Sequence, residues 1–424
     1  MTRTARALLA LVAVVGLGLG CAAPALAANP PNVVGTSVLS HAQVQAKEWW
    51  LVRLSLHKAW KITRGAGVTV AVMDTGVDPK FGDLRGALVP GFGVDTHATG
   101  DTDAAYHGTR IADEIAGRGT GFGLLGIAPA AKVMPVTVPG SAGSAAVAAA
   151  LNHLASMPRP PQVVNMSFGG PFPCPSDVAA ATRKAAAAGL VLVAGAGNSA
   201  ATGNLSQYPA DCPGVVAVGA VNTHAGAWSM SQRRPYVTLS GPGVHMIGYD
   251  RHARSGYGFA DGTSDAAAMV SGVAALVRAH RPSMSARDVV TRLLATTHQF
   301  AGEQGTRNNR YGYGVALPYN ALTRHVPAGA PDPVYAALAP KPRPSGSTST
   351  APGSSAPSSA PSSGAGSGPS SSPPAAGASA SSSGSNGTSI GLVVAIVVVV
   401  LALVAVVVAV TLRGRRRAMR RLGP

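Results

Sequence analysis

VTVAVMD, Val68–Asp74, carries the first clear sign of the architecture. Six apolar or β-branched residues run without polar alternation and end on a carboxylate. Such a run is what a strand covered on both faces carries, as in a parallel sheet under helices. The pattern returns in KVMPVTV (Lys132–Val138), QVVNMSF (Gln162–Phe168), GLVLVAGAG (Gly189–Gly197) and GVVAVGAV (Gly214–Val221). Between these runs, AAVAAALNHLA (Ala145–Ala155) and SDVAAATRKAAAAG (Ser176–Gly189) read as helices. Strand and helix in alternation predict an α/β fold, with a mostly parallel central sheet and helices on both faces. No internal repeat interrupts this.

In open sheets of this kind the chemistry gathers at the carboxyl ends of the strands. Asp74 closes the first run, and Asn198 follows the run ending at Gly197. His107 stands in YHGT before a helix-like segment. Ser264 stands in GTS before the small-residue stretch DAAAMVSG. Taken singly, Asp74 reads as a turn acid and His107 as a structural histidine. As a set they supply a nucleophile, a base, a group to orient the base and a donor for a developing oxyanion, the parts amide hydrolysis requires.

The two ends set the topology. The first 28 residues carry Arg3 and Arg6, an apolar run from Leu8 to Leu19 that is too short to span a bilayer, and an Ala25-Leu26-Ala27 cleavage pattern. They read as a signal peptide. Near the other end, residues 389–412 hold an uncharged run from Ile390 to Leu412, long enough to cross a membrane at about 34 Å. The basic tail, residues 413–424, contains six arginines and is placed in the cytoplasm by the positive-inside rule. Residues 326–388, rich in Pro, Ser, Gly and Ala, bury too little to fold and read as a disordered tether. A flexible coil from Lys341 to Thr388 spans about 40 Å.

The chain is therefore expected to be a single-pass membrane protein with its large domain, residues 65–325, outside the cytoplasm. The net charge of +17 falls to +9 once Arg3, Arg6 and the six tail arginines are set aside. What remains is solvated surface charge, and nucleic acid is not an expected partner. Beyond the signal peptide only Cys174 and Cys212 remain, and in an oxidising compartment two cysteines point to one disulfide. Neither has a second Cys or a His at ligand spacing, so no metal site and no cofactor are expected.

VAVMDTGVD around Asp74, HGT at His107, NMSFGG at Asn165–Gly170, AGAGNS around Asn198 and GTSDAAAMVSG around Ser264 resemble, in that order, the subtilisin-like serine proteases over about residues 45–320. The resemblance implies a peptide-bond hydrolase with Ser264 as nucleophile, His107 as general base and Asp74 as its orienter. Asn198 and the Ser264 N–H would form the oxyanion hole. Ser167, Phe168, Gly169 and Gly170 would form an edge that pairs with extended protein or peptide substrate.

The layout of signal peptide, short N-terminal extension, protease domain, tether, span and basic tail is similar to that of the mycosins. These are membrane-anchored proteases of actinobacterial type VII secretion systems, so a secretion complex is an implied partner. KAWKITRGAGVTVAVMDTGVD (Lys58–Asp78) and the placement of Cys174 and Cys212 share this likeness. The extension, residues 29–64, is shorter than the ~40 residues at which a chain folds alone without staples. It is expected to pack on the protease domain.

Three positions depart from the family pattern: Asp265, where an apolar residue is usual, Ala268 in place of proline, and Asp113 in place of glycine. The Asp265 carboxylate could cap the helix after Ser264, raise the pKa of His107 or repel the oxyanion. These departures sustain a second expectation beside the endopeptidase, a catalytically weak protease-fold scaffold that stabilises a secretion membrane complex. A wall hydrolase has little support, since no paired catalytic carboxylates are evident.

Overall fold

A computed structural model of the chain describes residues 32–33, 39–94, 99–139, 143–250, 252–253, 255–298, 307–330 and 332–338. The expected signal peptide, most of the tether, the span at 389–412 and the tail at 413–424 lie outside the described residues. Among the described residues no helix is long and apolar enough to cross a membrane.

Ten strands are present among the described residues: β1 (Asn32–Val33), β2 (Thr69–Asp74), β3 (Phe92–Gly93), β4 (Lys132–Thr137), β5 (Val163–Met166), β6 (Val191–Gly195), β7 (Val215–Val221), β8 (Val237–Pro242), β9 (Met246–Tyr249) and β10 (Tyr257–Ala260). Seven of them form one parallel sheet in the order β3-β4-β2-β5-β6-β7-β8. A small antiparallel sheet has the order β1-β10-β9. The five apolar runs of the sequence became β2, β4, β5, β6 and β7. Strands β8 to β10 are interrupted by glycine, and β8 ends on proline, so their sequences carry no comparable signal.

Alternate side chains of the sheet feed two cores. Val70, Val72, Val163, Val191 and Val193 face the helices His107–Ala116 and Thr263–His280. Ala71, Met73, Val164 and Leu192 face the helices Gly143–Ser156 and Ser176–Ala187. Both faces of β2 are thereby dry, which is why its sequence shows no alternation.

The described part of the N-terminal extension belongs to the first of these cores. Its short helices His41–Lys47, Trp49–Arg53 and Leu56–Ala59 bury Val44, Trp50, Leu51, Leu54, Leu56 and Ala59 there. Trp60 Nε1 donates to Ile127 O at 2.8 Å, which ties the segment to the loop before β4. At the other end the chain does not leave the domain at 325. The helix Pro333–Ala336, capped by Asp332, buries Val334, and Arg183 donates to the carbonyls of Ala337 and Leu338. Proline at the first helical position and an Asp cap give this piece a start signal that the surrounding composition hides. Cys174 and Cys212, 38 residues apart, are joined in a disulfide. A loop of that size stabilises by about 3–4 kcal/mol in the chain-entropy account.

Glu48, only 2% exposed, lies between two short helices of the extension. Its Oε1 accepts from Leu125 N at 2.8 Å, and its Oε2 is buried without a partner. Burial pushes its pKa from 4.5 to about 9, against the pull of the Leu125 N–H and with help from the Asp83 charge. The folded chain thus holds a proton that the unfolded chain releases near pH 4.5. Stability from this group is full below that pH and is lost as pH rises toward 9, at a slope of up to about 1.4 kcal/mol per unit. Glu48→Gln keeps the acceptor and removes the slope, so it will melt close to the wild type at pH 5 and above it at pH 8. Asp113 and Glu114 are shifted the same way, chiefly by burial, so part of the slope persists. Thermal unfolding across pH 5–9 is the check, and equal melting of both proteins at pH 8 would refute the assignment.

Candidate active site

Asp74 is the last residue of β2 and is 2% exposed. Its Oδ1 accepts from Thr75 N at 2.8 Å and lies 2.7 Å from His107 Nδ1. This close approach depends on Gly108, since a Cβ there would fall 2.1 Å from Gly76 O and 3.0 Å from Asp74 Cβ. His107 opens its helix behind Tyr106, which holds a left-handed φ of 59°. For a non-glycine residue that conformation costs of order 1 kcal/mol or more and needs external support. Asp103 supplies it by accepting from Tyr106 N, Thr109 N, Thr109 Oγ1 and Thr75 Oγ1 at 2.7–2.8 Å. A carboxylate at a helix N-terminus also suits the helix dipole. Sequence reasoning passed over Asp103, although an acid four residues before a helix start is a recognisable capping signal.

Burial alone would lower the His107 pKa. The Asp74 carboxylate, by charge and by hydrogen bond, and the Asp265 charge outweigh it, while Arg110 opposes them. The result is a histidine held above its ordinary value, suited to take a proton.

Ser264 occupies the first turn of the helix Thr263–His280 and is partly exposed. A chain of hydrogen bonds braces it from below. Ser271 Oγ donates to Asn165 Oδ1, Asn165 Nδ2 to Ser167 Oγ, and Ser167 Oγ to Ser264 O, at 2.9–3.0 Å. The Ser264 hydroxyl itself donates to Ser167 O at 2.9 Å rather than to His107. Catalytic hydrogen bonds are often long or unmade in sites without substrate. Asn198 Oδ1 accepts from Thr263 N at 3.0 Å and Thr263 Oγ1 at 2.8 Å. The amide is thereby oriented, with its carbonyl end toward the start of the Ser264 helix.

Of the expected substrate edge, Ser167 is buried, while Phe168 and Gly169 are partly exposed. Gly170 is already paired: its N–H donates to Tyr208 O at 3.0 Å, and its carbonyl accepts from Tyr208 N at 3.1 Å. The space beside the two glycines is filled rather than open. A Cβ on Gly170 would fall 2.2 Å from the Tyr208 ring, and one on Gly169 would lie 3.1 Å from Gln207 Oε1. Among the described residues the one close group of metal-type ligands is Cys174, Asp211 and Cys212, whose sulfurs are tied up in the disulfide.

Asp265 is 4% exposed, and it neither caps its helix nor stands alone. Arg110, from the turn after His107, donates to its Oδ1 through Nε at 3.1 Å and Nη2 at 3.0 Å. Arg110 was not singled out from the sequence. The available signal was an Arg–Glu pair at i,i+4, Arg110 with Glu114, inside an otherwise buried helix. Ala268 is fully buried in the Ser264 helix. Asp113 lies in the last turns of the His107 helix; burial first, then Asp83 and Glu48, pushes its pKa well up.

Fold and site together define a serine endopeptidase. The sequence profile of the subtilase family, peptidase S8, matches residues 65–314. The chain belongs to the subtilase family. Subtilisin DY of Bacillus licheniformis is 34% identical over 236 residues, which is 55% of this chain and 84% of that protein. Among solved structures, MycP1 from Mycobacterium smegmatis superposes with a TM-score of 0.59 at 27% identity, covering 72% of this chain and 90% of that one. The MycP3 protease from the type VII (ESX-3) secretion system superposes with a TM-score of 0.56 at 30% identity, covering 70% and 92%. The likeness to the mycosins thus holds in structure as well as in sequence motifs.

Proposed function

We propose that this chain cleaves peptide bonds with Ser264 as nucleophile, His107 as general base and Asp74 as the group that orients the base. The observation that carries the reading is the Asp74–His107 contact of 2.7 Å at the tip of β2, with Ser264 at the start of a braced helix. His107 takes the Ser264 proton as the hydroxyl attacks the substrate carbonyl, then returns it to the leaving amine. Asn198 Nδ2 and the Ser264 backbone N–H receive the oxyanion, with the positive end of the helix dipole behind them. Ser167, Phe168 and Gly169, the edge positions not paired to Tyr208, pair with extended substrate.

The same reading places the domain outside the cytoplasm, anchored by the span at 389–412 and serving a type VII secretion system. The mycosin neighbours and the apolar run Ile390–Leu412 support this. The carboxylate that motivated the scaffold alternative is paired with Arg110, which favours the enzyme.

The test is covalent labelling of the full chain by a fluorophosphonate probe, with the adduct mapped by mass spectrometry. The expected adduct is on Ser264. A folded chain that takes no label would leave the scaffold in its place.

A further inference from the structure

Arg110 and Asp265 are 155 residues apart in sequence, yet each sits directly behind a reacting side chain. Arg110 follows His107 by three residues, on the next turn of the same helix. Asp265 follows Ser264 immediately. The guanidinium bridges the two helices, with Nε and Nη2 on Asp265 Oδ1 at 3.1 and 3.0 Å. Nη2 also donates to the Met246 carbonyl in β9 at 2.7 Å. The surroundings are cut to admit the pair. A Cβ on Gly248 of β9 would fall 2.0 Å from Arg110 Nη1, and one on Gly262 would fall 2.8 Å from Asp265 Oδ2. Both partners are buried, at 8% and 4% exposure.

We propose that the Arg110–Asp265 pair is a positioning device that locks the first turn of the His107 helix to the first turn of the Ser264 helix and neutralises the carboxylate beside the oxyanion site. The proposal rests on the catalytic reading given above. Two N–H groups converging on one carboxylate oxygen, with the guanidinium also anchored on Met246 O in β9, restrict the approach of the two helices more than a single apolar contact does. Neutralisation matters because an unpaired buried carboxylate next to Ser264 would oppose the negative charge that develops there.

The charge inventory around the pair is small. His107 faces Asp74 from β2, Asp265 from the Ser264 helix and Arg110 from its own helix. Arg110 faces Asp265, Glu114 and Asp113. Burial, followed by the Asp265 charge, pushes the Glu114 pKa well above the usual carboxylate value, against the pull of Arg110.

The experiment measures the rate of fluorophosphonate labelling against pH in the full chain. The proteins compared are the wild type, Arg110→Met, Asp265→Asn and the double variant, with circular dichroism confirming that each is folded. Arg110→Met will slow labelling by about 10²-fold, the size of effect a small misplacement produces. Its acid limb will move to higher pH, by about one unit, because Asp265 then raises the His107 pKa unopposed. In Asp265→Asn the limb will move to lower pH, because Arg110 then lowers the His107 pKa without the Asp265 charge to offset it. The double variant will regain labelling to within about tenfold of the wild type, as non-additive partners do.

Limbs that stay in place or shift the same way, or a double variant as slow as the product of the two single losses, would overturn the proposal. If Arg110→Met does not fold, Arg110→Lys replaces it. That variant keeps the charge and loses the fork, so a slower rate with an unmoved limb is expected, and a moved limb overturns the proposal. A wild type that takes no label removes the catalytic reading and the proposal with it, an outcome read before any variant is compared.

Discussion

Ser264→Ala will lower kcat/KM for peptide hydrolysis by about 10⁶-fold, the loss that follows removal of a triad nucleophile. That corresponds to about 8 kcal/mol of transition-state stabilisation at roughly 1.4 kcal/mol per decade. The fold should not respond. The hydroxyl makes one hydrogen bond, to Ser167 O, while the bond from Ser167 Oγ to Ser264 O passes through the backbone and survives. The residual rate, some 10³–10⁴-fold above water, would come from the oxyanion donors and substrate binding. Kinetics on an unstructured peptide substrate, with thermal unfolding as the control, provide the check. Hydrolysis within tenfold of the wild type would place the nucleophile elsewhere.

Asp74→Asn will lower kcat by about 10⁴-fold with little change in KM, as expected where an amide replaces the carboxylate that sets the histidine tautomer. Asp74 Oδ1 receives both Thr75 N–H and His107 Nδ1, so it accepts from two donors at once. An amide can turn its NH₂ toward the imidazole, which forces the proton onto Nε2, the nitrogen that must accept from Ser264. The pH profile provides a second readout. Asp74 raises the His107 pKa by charge and hydrogen bond, so its loss moves the acid limb of kcat/KM to lower pH. A variant that retains a tenth of wild-type activity, or whose limb moves upward, would refute the role given to Asp74.

Much of this architecture could be read along the chain. Five buried strands announced themselves because a strand covered on both faces must be apolar throughout, and Val70, Val72, Ala71 and Met73 show why. Asp74, His107, Asn198 and Ser264 each stood beside a glycine-rich turn at the tip of such a strand or at the start of a helix. Strands β8 to β10 escaped notice because they are broken by glycine and held by neighbours rather than by their own periodicity. The helix Pro333–Ala336 escaped because a short proline-rich stretch reads as tether until Val334 has a surface to cover.

The layering of the domain, the strand tips where chemistry could gather, and the residue types for amide hydrolysis are all written along the chain. These are local matters, settled by side-chain polarity and by a spacing of a few residues. Which charges meet is set by the packing of distant segments. Asp265 looked like an obstacle to an oxyanion until Arg110 was seen on its carboxylate, and Gly170 looked like a substrate contact until Tyr208 was seen on its backbone. Glu48 is buried only because the short helices on either side of it fold into the core. The reason is physical: the energy of a buried charge depends on its nearest partner and on the exclusion of water, and neither exists until distant segments pack.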